Sequence, residues 1–159
     1  MRGLWCGRKL DGTSGVHIHM TNTRITDPEM LEKRYPVLLN RFELRKGSKG
    51  IGKFNGGEGI LREYEFRMGL SASVVSERRV HRPFGMKGGG EGACGRNTLV
   101  EKLKGGEERW VNIRGRKDFI VREGDRVIIE TPGGGRSDCD ARARDEGVYE
   151  LFSIEAGAK

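Results

Sequence analysis

Apolar and polar residues alternate along much of the chain, and a period of two is typical of a half-buried β-strand. The clearest example is VLLNRFELR, residues 37–45. Its alternation predicts a strand with Leu38, Phe42 and Leu44 on one face and with Arg41 on the other. One face of this strand is therefore expected to pack on a core while the other meets water.

Six further runs predict strands of the same kind, over residues 60–68, 70–79, 97–104, 108–114, 119–121 and 125–131. In the first of these runs the residues that share one face are Ile60, Arg62, Tyr64, Phe66 and Met68. Residues 148–154, VYELFSI, are compatible with a final strand or with a helix. Seven or eight short strands separated by turns predict a mainly β fold, with antiparallel strands in a sandwich or barrel-like layer.

One short helix is expected near residues 27–34. Thr26 followed three residues later by Glu29 matches a capping box, and Pro28 suits the first turn of a helix. Pro36 predicts the end of the helix, because a proline disfavours helical geometry at the residue before it.

Composition agrees with one thin, strand-rich domain. The chain has 159 residues, of which 35% are hydrophobic and 33% charged, and 26 are glycines. Many of the glycines lie in residues 46–59 and 80–96, which we interpret as long connections between strands. The expected organisation is an irregular lead-in over residues 1–15, a β-rich domain over 16–138 and a divergent tail over 139–159.

The formal net charge of +7 raises the question of nucleic-acid binding. Basic residues are interspersed with 23 acidic ones and form no long like-charged block, so binding of nucleic acid is unlikely from the sequence. An alternative function remains a small basic binding module for nucleic acid or a protein partner. Its candidate stacking residues are Trp5, Phe54 and Trp110.

Three cysteines without a C-x-x-C spacing indicate neither a disulfide framework nor a zinc site. The first twenty residues contain no continuous apolar segment, and no apolar run reaches eighteen residues. We therefore expect a reduced, cytoplasmic protein without membrane association.

Residues 16–36 contain the most specific side-chain chemistry. His17 and His19 would lie on the same side of a strand, which is compatible with metal binding but equally with hydrogen bonds to neighbouring backbone or substrate. A polar cluster follows, formed by Thr21, Asn22, Thr23 and Arg24. Its hydroxyls, amide and guanidinium suit the binding of a carboxylate, but they could also connect a loop backbone to the helix cap.

Other chemical candidates favour structural roles. The glycine runs 88–90 and 133–135 do not match a phosphate-binding loop and are interpreted as turns. Asp27 is interpreted as a helix cap rather than a catalytic residue. Cys94 has no evident histidine partner and is a poor candidate nucleophile.

Four segments together resemble the C-terminal part of the hydantoinase B and 5-oxoprolinase family, and are most similar to the eukaryotic-type ATP-dependent 5-oxoprolinases. The segments are HMTNTRITDPEMLEKRYPVLLNRFELRKGS, FNGGEGILREYEF, SERRVHRPFGMKGG and RVIIETPGGG. The resemblance extends over residues 12–135 in consistent order. It implies an ATP-dependent hydrolase that opens 5-oxo-L-proline to L-glutamate within glutathione turnover.

The resemblance also implies what a complete enzyme contains. Its members have upstream hydantoinase A-like and B-like portions, use ATP and a divalent metal, and are expected to form a homodimer or larger assembly. The nucleotide site is expected outside this chain, and Thr21–Arg24 become candidate ligands for 5-oxo-L-proline. On this view the chain is expected to be a fragment that is inactive alone.

Overall fold

The structure, a computed structural model, describes residues 10–17 and 25–138. These residues form one helix and seven strands: α1 Pro28–Arg34, β1 Val37–Arg45, β2 Gly59–Phe66, β3 Leu70–Val75, β4 Arg96–Lys102, β5 Glu108–Asn112, β6 Arg116–Val121 and β7 Arg126–Glu130. The predicted mainly β fold with one short helix is confirmed. Residues 148–154, whose conformation the sequence left open, lie outside the described residues.

The strands form two antiparallel sheets. The larger sheet has the order β1-β2-β7-β4-β5, and β3 pairs with β6 in a two-stranded sheet. The last strand, β7, thus lies at the centre of the larger sheet, between β2 and β4. Because β1 and β5 remain as edges, the layer is an open sandwich and not a closed barrel.

The inner face of the larger sheet carries the core. Directly paired residues run across all five strands on this face, in the order Leu39, Tyr64, Val127, Leu99 and Val111. The buried cluster comprises Leu99, Ile113, Val121 and Val127, and it joins the larger sheet to the β3–β6 pair. Val121 of β6 packs in this cluster with Leu99 of β4 and Val127 of β7.

A β-bulge in β1 corrects the predicted alternation of that strand. The pairing of β1 with β2 shifts between Leu39 and Arg41, so that Asn40 is an extra residue. Leu39 therefore shares the inner face with Phe42, whereas Leu38 pairs with Glu65 on the outer face. Placing Leu38 with Phe42 was wrong, because an inserted residue reverses the sides of all residues before it.

The helix begins one residue later than its capping box predicted. The N-cap is Asp27, whose Oδ1 accepts a hydrogen bond of 2.9 Å from the Glu29 N–H, and Pro28 is the first helical residue. The interpretation of Asp27 as a helix cap is confirmed, whereas the capping box at Thr26 was wrong. The Asp27 carboxylate accepts the N–H bond and also favours the positive end of the helix. The helix ends where Pro36 predicted, with extended geometry at Tyr35.

The outer face of the larger sheet carries a network of ion pairs. Glu63 is only 4% exposed and pairs with Arg126, which also contacts Glu108 at 2.7 Å. Burial opposes the charge of Arg126, but hydrogen bonds to Glu63 and Glu108 outweigh that effect and raise its pKa. Arg41 adds a more distant contact, 4.0 Å from Glu63. The buried carboxylate of Glu63 thus depends mainly on Arg126.

The glycine-rich connections pack against one another through their backbones. The segment 46–58 and the loop before β4 are joined to residues 131–138 by hydrogen bonds such as Gly50 N–H to Gly134 O, 2.9 Å, and Arg136 N–H to Gly90 O, 3.0 Å. A Cβ atom on Gly133 would overlap the carbonyl group of Ser48. Glycine is required there because of close backbone approach, not because of a positive φ.

No helix in the described part of the chain is long and apolar enough to cross a membrane.

Substituting Gly133→Ala should destabilise the protein by about 3 kcal/mol, because the new methyl group forces two packed backbones apart. Gly69→Ala is the matched control, since the nearest atom to its added Cβ is Val121 O at 3.7 Å. Urea unfolding of both variants would measure the difference. Equal stability of the two variants would contradict the close packing of the glycine loops.

Substituting Arg126→Met should destabilise the protein by about 2 kcal/mol, because it leaves the Glu63 carboxylate buried without its main partner. Arg109→Met is the control. Arg109 belongs to an ion pair with Glu101 and its side chain is 62% exposed, so its loss should change the free energy of unfolding by less than about 1 kcal/mol. Chemical denaturation would test whether only the first variant is affected.

Candidate functional site

A cleft of about 280 Å³ lies on the inner face of the β1–β2 pair, beside the N-terminal end of α1. No described residue of β3 or β6 lines it. Its walls come from three parts of the chain, and the lining residues are His17, Ile25, Thr26, Pro28, Leu31, Leu39, Phe42, Arg62 and Tyr64.

The sheet side of the cleft is organised around Arg62. This residue pairs directly with Phe42 in β1 and with Ile129 in β7, so its side chain lies on the inner face, next to the apolar core. Its guanidinium carbon lies 4.9 Å from the centre of the Phe42 ring, a cation–π contact. Arg62 Nη1 also approaches Tyr64 Oη at 3.4 Å, which is a long hydrogen bond.

The opposite side of the cleft includes His17. Its Nε2 atom is buried and has no hydrogen-bond partner within the described residues. An orphaned buried nitrogen costs free energy unless a ligand, a water molecule or another group pairs with it. Among the predicted site residues that the structure describes, His17 lines the cleft.

The other predicted site residues, His19 and Thr21–Arg24, lie outside the described residues. Both neighbours of the segment 18–24, His17 and Ile25, line the cleft. The substrate-binding role of Thr21–Arg24 stays a prediction.

The described residues alone do not fit a metal ion. Within residues 10–17 and 25–138, no three His, Cys, Asp or Glu side chains lie close enough together to form a metal site. His17 could contribute one imidazole ligand, but the remaining ligands would have to come from elsewhere. Metal binding by His17 and His19 therefore stays a prediction as well.

The glycine run 133–135 is occupied by protein contacts rather than arranged around an anion. The Gly133 N–H donates to Ala93 O at 3.2 Å, and the Gly134 N–H donates to Gly57 O at 2.8 Å. These donors are therefore already used inside the fold. This agrees with the interpretation of the run as structural.

The candidate stacking residues of the alternative binding module differ in exposure. Phe54 is half-buried and forms an isolated backbone bridge with Ser137, whereas Trp110 is 59% exposed at the edge strand β5. Trp5 lies outside the described residues.

Several arginines form ion pairs with carboxylates, namely Arg41, Arg45, Arg96, Arg109, Arg126 and Arg136. These ion pairs reduce the positive electrostatic potential of the described surface.

Sequence reasoning missed Arg62, Phe42 and Tyr64 as site residues. One signal was available, because the alternation of β2 correctly placed Arg62 on the same face as Ile60, Tyr64 and Phe66. A charged residue within an otherwise apolar face is unusual and is a candidate for a functional role. The sequence contains no comparable signal for the bulge that brings Leu39 and Phe42 to the same face.

Comparison with known proteins identifies the family. A family model for hydantoinase B/oxoprolinase matches residues 2–136 of this chain. The chain belongs to the hydantoinase B/oxoprolinase family. This membership confirms the resemblance found in the sequence.

Two relatives are much longer than this chain. The chain is 52% identical over 130 residues to an uncharacterised protein of Schizosaccharomyces pombe and 49% identical over 133 residues to 5-oxoprolinase 1 of Arabidopsis thaliana. These matches cover 79% and 84% of this chain, but only 10% of each relative. The chain thus spans about a tenth of the length of these relatives.

The hydantoinase B/oxoprolinase chain also resembles a solved structure. The crystal structure of an ATP-dependent caprolactamase from Pseudomonas jessenii matches with a TM-score of 0.62 and 24% sequence identity. The match covers 86% of this chain and 24% of that chain. At this identity the likeness concerns the fold.

Proposed function

We propose that this chain is part of an ATP-dependent 5-oxoprolinase, a cyclic amide hydrolase that converts 5-oxo-L-proline to L-glutamate. The observation that carries the proposal is the 49% identity with 5-oxoprolinase 1 of Arabidopsis thaliana over 84% of this chain. The name of the fold neighbour, an ATP-dependent caprolactamase, agrees with ATP use. A role in glutathione turnover and a cytoplasmic location belong to the same proposal.

The reaction is hydrolysis of a lactam. Water adds to the ring carbonyl carbon, the bond from that carbon to the ring nitrogen breaks, and the nitrogen takes up a proton to become an amine. We place the nucleotide outside this chain, in the upstream hydantoinase A-like portion that the family resemblance implies. The Gly133 and Gly134 N–H groups, which already donate to protein carbonyls, are compatible with this placement. The whole enzyme is expected to assemble as a homodimer or larger.

Within that enzyme, the cleft beside α1 forms one wall of the substrate site. The support is the combination of a cation, two aromatic rings and an orphaned imidazole nitrogen around a small cavity. Thr21, Asn22, Thr23 and Arg24 contribute further contacts to the substrate, because both neighbours of their segment, His17 and Ile25, line the cleft. His17 and His19 are candidate ligands for a divalent metal whose other ligands lie outside this chain.

A chimera tests this role. This chain replaces the matching segment of Arabidopsis thaliana 5-oxoprolinase 1, and ATP-dependent hydrolysis of 5-oxo-L-proline is measured. The chimera should be active and the isolated chain inactive. In the chimera, Asn22→Ala and Arg24→Ala should each lower kcat/KM by about 10-fold or more, because each removes a hydrogen bond to the substrate.

The matched control is Arg109→Met, a substitution at the exposed end of β5 away from the cleft, which should leave kcat/KM unchanged. Normal kcat/KM in both Asn22→Ala and Arg24→Ala would refute the substrate-binding role of that cluster. An inactive but folded chimera would count against the proposed function itself. Folding of each protein is checked by its thermal unfolding transition.

A further inference from the structure

We propose that Arg62 recognises the carboxylate of the substrate and thereby makes this site selective for an anionic lactam over a neutral one. This inference rests on the proposed function and deepens it by assigning substrate selectivity to one residue. Arg62 acts through its guanidinium, Tyr64 adds a second donor to the carboxylate, and Phe42 is a positioning residue.

The charge of the cleft favours an anion. Its nine described lining residues include one guanidinium, that of Arg62, and no carboxylate. The rest are apolar side chains, an imidazole and two hydroxyl groups. A bound carboxylate would accept charge-assisted hydrogen bonds from this guanidinium.

The position of the guanidinium is defined before any ligand binds. It is stacked on Phe42 with a separation of 4.9 Å and approaches Tyr64 Oη at 3.4 Å. Both neighbours belong to the paired strands β1 and β2 rather than to a loop. A guanidinium has five N–H donors, so contacts with protein groups are compatible with simultaneous binding of a carboxylate.

Tyr64 adds a second donor to the same region. Its hydroxyl oxygen accepts from Arg62, which leaves its own O–H to donate. A carboxylate bound there could therefore accept from the guanidinium and from the phenol. Two donors of different geometry specify an oxygen anion better than a point charge does.

The volume of the cleft agrees with a small ligand. At about 280 Å³ it lies slightly below the range typical of sites for drug-sized molecules. Leu31 and Leu39 supply apolar surface for the methylene groups of a ring. A five-membered lactam that carries one carboxylate fits this combination of size, apolar wall and single cation.

The ratio of kcat/KM for two substrates tests the assignment. In the active chimera, 5-oxo-L-proline is compared with its neutral carboxamide, which keeps the lactam and replaces the carboxylate. Arg62→Met retains an unbranched stem to pack on Phe42 but removes the charge. It should lower kcat/KM for 5-oxo-L-proline by about 10²-fold to 10³-fold. The same substitution should change kcat/KM for the carboxamide by less than about 3-fold.

Arg62→Lys and Arg109→Met complete the series. Arg62→Lys keeps the charge without the planar guanidinium and should lower kcat/KM for 5-oxo-L-proline by about 10-fold. Arg109→Met should have the same kcat/KM as the unsubstituted chimera. An equal loss on both substrates in Arg62→Met would assign Arg62 a structural role and overturn the proposal. Unchanged turnover of both substrates would also overturn it.

Direct binding separates this inference from the proposed function. If the unsubstituted chimera hydrolyses neither substrate, the proposed function fails, and calorimetric titration with 5-oxo-L-proline and with its carboxamide decides the inference. Preferential binding of the anion that disappears in Arg62→Met would support the carboxylate site. Equal or absent binding of the two compounds would overturn it.

Discussion

The register between β1 and β2 is the constraint on which the site depends. One extra residue, Asn40, reverses the sides of β1 before the bulge, so that Leu39 and Phe42 reach the inner face together. There they pair with Tyr64 and Arg62. Without the bulge, one of the two β1 residues would face outward, and the cleft would lose part of its apolar wall or the ring under the guanidinium.

The glycine-rich connections hold the far end of the same sheet. Segments that are distant in sequence exchange backbone hydrogen bonds there, and the close approach excludes a side chain at Gly133. Ser48, buried beside them, accepts a hydrogen bond at Oγ from the Gly59 N–H, 2.9 Å away, at the start of β2. The loops therefore tie the start of β2 to the segment after β7, and β7 is the neighbour of Arg62 in the sheet.

The charged and polar side chains on the two faces of the larger sheet have different partners. On the outer face, Glu63 and Arg126 neutralise each other within the protein. On the inner face, polar Asn97 is fully buried but bonded to Ser76, Arg79 and Arg114. Arg62 lines an open cleft in contact with Phe42 and Tyr64, together with His17, whose Nε2 has no hydrogen-bond partner within the described residues. This difference is the reason why a functional interpretation concentrates on the cleft.

The sequence by itself determined the strands, the helix and the family. Alternation located the strands because each has one buried face, and Pro28 and Pro36 bounded the helix because proline restricts backbone geometry locally. It also singled out His17, which lines the cleft, but it did not single out Arg62 and Phe42 and it assigned Leu38 to the wrong face. Only the tertiary structure decided the bulge at Asn40, the central place of β7 and the cleft. These features arise from pairing between residues far apart in the chain, which a local pattern does not encode.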